Sequence, residues 1–406
     1  MRAYERLIRY AKVYTTSDES FDCCPSTARQ LDLANMLADE LKALGITDAR
    51  VDKNGYVYGS LPATAGYEGK PVIGFIAHMD TAPDACGENV KPMIHENYNG
   101  KDLTLPGGVV LSVEKFPFLK SMAGETLITS DGTTLLGADD KAGIAEIVTL
   151  AEELLHSDLP HGKICFGFTP DEEIGRGADE FDVDGFAADY AYTVDGGELG
   201  GVEYETFNAA AATVTVKGLS IHPGAAKNKM INAAQVAMEF HAMLPVHERP
   251  ESTENYEGFC MLNDIRGGIE ETVMRYIIRD HDREKFEEKK DRFYQIAVYL
   301  DSIYGDGTVE VETNDSYYNM REKIEPVMYV VDRAKAAMER LGIKPYSVPV
   351  RGGTDGARLS FMGLPCPNLC TGGMNFHGRY EYAVVEEMES CARILVEILT
   401  DPGLSK

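Results

Sequence analysis

No uncharged apolar run in the 406-residue sequence approaches the ~18–20 residues of a membrane-spanning helix, which excludes an integral helical membrane protein. Basic residues are scarce as well: 39 Lys and Arg stand against 66 Asp and Glu, a formal net charge of −27. A nucleic-acid-binding face needs clustered Lys and Arg to displace phosphate counterions, and no such cluster exists. The acidity reads more simply as solubility. No Cys-x-x-Cys pair occurs among Cys23, Cys24, Cys86, Cys165, Cys260, Cys366, Cys370 and Cys391. Scattered thiols of this kind suit a reducing cytoplasm better than a disulfide framework. The first residues, Met1 to Arg6, carry charge where a signal peptide has its apolar stretch, so export is not expected.

What is present is the composition of a soluble globular protein, 44% hydrophobic and 26% charged, long enough for two or three domains. Residues 1–50 read as helix-rich, with amphipathic segments over Arg2–Val13 and Ser26–Leu44. Short apolar runs at Pro71–Ala77, Lys163–Phe168 and Tyr190–Val194 read as buried strands. Between the first two, Ile144, Ile147, Val148, Ala151, Leu154 and Leu155 share one helical face. That alternation predicts an α/β domain with a mixed, largely parallel central sheet. From 208 the texture changes to strand, helix, strand, helix, strand, as in a small α+β domain with one solvated sheet face. From about 321 the α/β texture returns. The chain therefore reads as a catalytic domain of residues 1–207 and 321–406, interrupted by a smaller lid of residues 208–320.

Acids and histidines stand just after the predicted strands, where open α/β sheets line their ligand crevices. They are His78-Met79-Asp80, Asp139-Asp140, Asp171-Glu172-Glu173, Asp195-Gly196-Gly197 and Asn375-Phe376-His377. Each has an ordinary reading in isolation: a strand-end histidine, a helix cap, a solvated charged loop, a turn. Of Asp139 and Asp140, one satisfies a cap and the other is spare. Taken together, two histidines and three carboxylates match the needs of two divalent ions about 3.5–4 Å apart that share one carboxylate. Two such ions with three carboxylates and two neutral imidazoles leave a charge of +1, which favours a bound hydroxide. The absence of cysteine from these segments argues for an open hydrolytic site over a structural one. Imidazole with carboxylate suits Zn, Mn or Co alike.

These motifs, with Asp315–Met320, Tyr276–Asp280 and Arg351–Gly356, resemble the M20 metallopeptidases along essentially the whole chain. The resemblance implies a catalytic domain holding two Zn2+ per subunit (Mn2+ or Co2+ being alternatives), interrupted by a lid that closes on substrate and often mediates dimerisation. By motif, His78, Asp140 and Asp195 would hold one ion, and Asp140, Glu173 and His377 the other. Asp140 is chosen as the bridge because it directly precedes Lys141. Asp80 would orient His78, and Glu172 would be the general base for a metal-bridging hydroxide. In the lid, His222 would stabilise the oxyanion, while Asn232 and Arg279 would bind substrate, joined by Gly353 and Thr354 from the catalytic domain. The implied activity is a cytoplasmic aminopeptidase that frees the N-terminal residue of a tripeptide. A dipeptidase, carboxypeptidase or N-acyl amidohydrolase would keep the same ions, and a metal-binding protein without catalysis is the reading from another class. Neither a nucleic acid nor a membrane is expected as a partner.

Overall fold

The computed structural model describes residues 1–400 and divides them into two compact units. The first comprises Met1–Tyr204, Glu322–Val348 and the described residues from Thr354 on; the second comprises Glu205–Arg321 and Pro349–Gly353. Where 208 and 320 were expected as bounds, the second unit runs from Glu205 to Arg321, and the short segment Pro349–Gly353 groups with it.

A seven-stranded sheet organises the first unit, in the order 50–51, 57–61, 164–169, 73–78, 190–196, 368–370, 202–203. The four central strands run parallel, and the outer pairings are antiparallel. Ile73–His78 and Ile164–Thr169 are buried at every position, which is why they read as continuous apolar runs rather than alternating ones. Each large apolar side chain removed from water contributes about 1.5–3 kcal/mol. Because these strands are parallel, their carboxyl ends fall at the same edge, with His78 opposite Thr169. No helix among the described residues is long and apolar enough to cross a membrane.

The helix Ala138–Leu155 is buried on more faces than its sequence stripe predicts, since Ala142, Gly143, Ala145, Glu146 and Leu150 are enclosed too. At its start the helix lies hard against the sheet. A Cβ on Gly143 would stand 1.7 Å from the Val194 carbonyl oxygen and 2.6 Å from Asp140 Oδ1. Backbone cannot step aside as a flexible side chain can. Gly143→Ala is therefore expected to cost at least the ~1–3 kcal/mol of ordinary overpacking. A thermal midpoint of the metal-free variant within a degree of wild type would contradict this close approach.

A second four-stranded sheet of the first unit has the order 373–374, 382–384, 127–129, 93–95. Its strands Gly373–Met374 and Tyr382–Val384 form an antiparallel pair, and His377 lies in the loop between them. None of these short strands is legible in the sequence.

The second unit is a four-stranded antiparallel sheet, ordered 259–267, 271–280, 208–217, 309–317, with the helices Ala233–Ala242 and Arg283–Tyr304. Alternate residues Ala210, Ala212, Val214 and Val216 meet Met274, Tyr276 and Ile278 and the helix residues Phe240 and Phe293 in one core. The strand Phe259–Gly267 was not expected. It is an edge strand whose only buried residue is Cys260, so it lacks the two-residue alternation that marked the others.

Candidate metal centre and active site

At the carboxyl edge of the parallel strands, His78 is buried with its Nδ1 3.0 Å from the Asp80 carbonyl oxygen and 3.4 Å from Asp80 Oδ1. With Nδ1 turned to Asp80, Nε2 is the ring nitrogen left to face the site. That Nε2 lies 2.9 Å from Asp139 Oδ1 and 3.5 Å from Asp195 Oδ1. The second histidine, His377, places its Nε2 3.2 Å from Asp139 Oδ2 and 2.9 Å from Glu173 Oε2. The two oxygens of Asp139 are thus divided between the two histidines.

This arrangement corrects one expectation. Asp139, not Asp140, has one carboxylate oxygen toward each histidine. The helix is not yet regular at these residues, with φ/ψ of −81°/107° at Asp139 and −116°/34° at Asp140, so the adjacent side chains diverge. The Asp140 carboxylate faces backbone: Oδ2 accepts from the His78 amide at 3.2 Å and Oδ1 from the Gly143 amide at 3.2 Å. A side-chain oxygen accepting from the amide three residues on is helix capping. Cap and spare carboxylate are both present, with the roles exchanged.

Asp80, fully buried, accepts from the backbone amides of Glu172 at 3.0 Å and Glu173 at 3.2 Å. It therefore ties the histidine segment to the turn that carries both glutamates. Beneath that turn, Asp171 accepts from the Ser26 amide and hydroxyl and from Gln30 Nε2.

The electrostatics match a site built around positive charge. Burial pushes Asp195 up to about 7, and burial together with Asp139 does the same for Glu173. Glu172 lies well above the usual carboxylate range, through burial first and then through Asp195, Asp355 and Glu173, with His78 opposing. Hydrogen bonds to Asp139 and Glu173 raise His377 to about 11. Burial disfavours a charged His78, yet Asp195, Asp139 and Asp80 outweigh it and push the ring well above its ordinary value.

Ligand atoms of His78, Asp139 and Asp195 lie within 4.8 Å of one another, as do those of Asp139, Glu173 and His377. Buried Glu173 Oε1 has no hydrogen-bond partner, an orphaned acceptor that a cation would satisfy. Two imidazoles and three carboxylates, with no thiolate, fit a pair of divalent cations sharing Asp139.

The remaining expected site residues lie in two places. Thr354, in the first unit, caps the helix Asp355–Phe361 by accepting from the Ala357 amide at 3.2 Å. In the second unit, exposed His222 accepts from the Gly224 amide, and Asn232 caps the helix Ala233–Ala242. Arg279 donates to the carbonyls of Ala210 and Ile278, and its guanidinium lies 5.6 Å from the Tyr317 ring centroid. Gly353 belongs to this unit as well, its Cα so near that ring that a Cβ would stand 2.7 Å from it. Asp355 and Glu381 are buried acids that sequence reasoning missed. Asp355 Oδ2 accepts from the Thr169 hydroxyl at 2.7 Å; a lone acid in Thr-Asp-Gly carries no pattern that marks it as buried.

Comparison with known proteins bears on the whole chain. The sequence profile described as Peptidase family M20/M25/M40 matches residues 131–401. The chain is 56% identical over 397 residues to "Peptidase T" of Brevibacillus brevis, covering 97% of each chain. It is 56% identical to "Peptidase T" of Clostridium perfringens over 98% of each. Among solved structures, the aminopeptidase PepT of Bacillus cereus superposes with a TM-score of 0.79 at 25% identity, covering 98% of this chain and 97% of that one. The Bacillus subtilis YXEP protein, described as a dinuclear metal binding peptidase from the M20 family, shares the fold at a TM-score of 0.67 and 15% identity over 98% of each chain. The chain belongs to peptidase family M20/M25/M40 and is a peptidase.

Proposed function

We propose that this peptidase is a zinc-dependent aminopeptidase that releases the N-terminal residue of tripeptides in the cytoplasm. The observation that carries the reading is the division of Asp139 between His78 and His377, the arrangement a carboxylate shared by two cations requires. The similarity to enzymes described as peptidase T and aminopeptidase supports the choice of substrate.

In this reading His78, Asp139 and Asp195 hold one cation, and Asp139, Glu173 and His377 hold the other. The cations, when bound, polarise the scissile carbonyl and acidify a water. Glu172 takes the proton from the attacking water and delivers it to the leaving amine. Asp80 keeps the His78 tautomer and the glutamate turn in register. From the second unit, which is also the proposed dimerisation surface, His222 stabilises the oxyanion and Asn232 binds the peptide. Arg279 takes its carboxylate through bidentate hydrogen bonds, and the Gly353-Thr354 segment lines the substrate's path.

The test is hydrolysis of free and N-acetylated tripeptides with the metal content measured in the same samples. Two zincs and cleavage of the free peptide alone are expected, and Arg279→Ala should raise KM at unchanged zinc. Cleavage of the acetylated peptide would move the enzyme to the carboxypeptidases or amidohydrolases. Unchanged kinetics of Arg279→Ala would remove that residue from the carboxylate site.

A further inference from the structure

One buried carboxylate beside the centre has no part in the chemistry above. Glu381 is 1% exposed, four residues beyond His377, at the start of the returning strand Tyr382–Val384. Its carboxylate accepts three backbone hydrogen bonds, all from the segment that carries Asp139. Oε2 accepts from the Leu136 amide at 2.7 Å and the Gly137 amide at 2.8 Å, and Oε1 from the Asp139 amide at 3.1 Å. These three amides precede the regular part of the helix and, with no i−4 carbonyl available to them, need an outside acceptor. Gly137 holds a left-handed φ of +78°, so this turn presents its amides together rather than spending them on its own carbonyls.

We infer that Glu381 is a positioning residue for the metal centre: it clamps the amides of residues 136, 137 and 139 so that Asp139 and His377 are held at fixed spacing. Beside the half-exposed His377–Asp139 contact at 3.2 Å, Glu381 is a buried charged group that joins the loop of His377 to the loop of Asp139. A charged acceptor gives shorter, stronger bonds than a neutral one. Because Asp139 faces both histidines, displacing it disturbs both cation positions at once. The inference rests on the proposed two-cation reading.

Glu381→Gln keeps the shape but puts an amide donor against at least one of the three donors. The primary measurement is zinc affinity by competition with a chromophoric chelator, wild type beside variant. Loss of an outer partner of a ligand typically weakens binding about 10–100-fold, and a rise in Kd of that size at both positions is expected. The KM for tripeptide should stay near wild type while kcat falls, and excess zinc should restore part of kcat. A purely structural role would lower the thermal midpoint of the metal-free protein and leave zinc affinity alone; that result overturns the inference. Should the variant not fold, hydrogen exchange of metal-free wild type decides: amides 136, 137 and 139 protected support the clamp, and free exchange overturns it. Failure of wild type to bind zinc would instead count against the two-cation reading itself.

Discussion

Replacing Asp139 by Asn is expected to empty both cation positions and abolish peptide cleavage, while Asp140→Asn keeps its metal. The two residues are neighbours of identical chemistry, so the contrast isolates geometry. Loss of a partner outside the coordination sphere already weakens metal binding about 10–100-fold. Asp139 has one oxygen toward each histidine, so its loss is felt at both positions and should exceed that range. Asp140 accepts only from backbone amides. Asn at that position still caps a helix, and the cost is one backbone acceptor, about 1–3 kcal/mol of stability. Elemental analysis after gel filtration, beside thermal midpoints, separates the two. Metal retained by Asp139→Asn and lost by Asp140→Asn would return the bridge to Asp140.

Glu172→Gln should leave the metal content unchanged and lower kcat about 10²–10⁴-fold, the usual contribution of a general acid–base group. The amide is nearly isosteric, so the turn held by Asp80 through the backbone of residues 172 and 173 is preserved. What is lost is the capacity to take a proton. KM for the tripeptide should change little, because this residue acts in the transition state more than in the ground state. Full activity in the variant would remove Glu172 as the base. Loss of metal together with activity would place its carboxylate in the coordination sphere instead.

Much of this site was legible because it sits where parallel strands end. His78, Glu173 and Asp195 each follow or close a run of buried apolar residues, and parallel pairing brings those ends to one edge. His377 was found by its motif, since the hairpin that carries it is built from strands of two and three residues, too short for periodicity to register. Asp140 was expected between the histidines, and the structure turns Asp139 there instead. Sequence places them side by side, and which one turns inward depends on two backbone torsions at an irregular helix start. Glu381 gave no signal, because an acid between two tyrosines reads as a surface residue until its three amide donors are seen.

The sequence by itself determined the class of fold and the residue types gathered at the strand ends. Those properties are written in composition, in runs of apolar residues and in the order of motifs, all of which are local. The tertiary structure alone decided which aspartate stands between the histidines, which carboxylates face backbone amides rather than the site, and how close the helix at Gly143 approaches Val194. Each of these depends on residues far apart in the chain meeting within a few ångströms, and no local pattern encodes such a meeting.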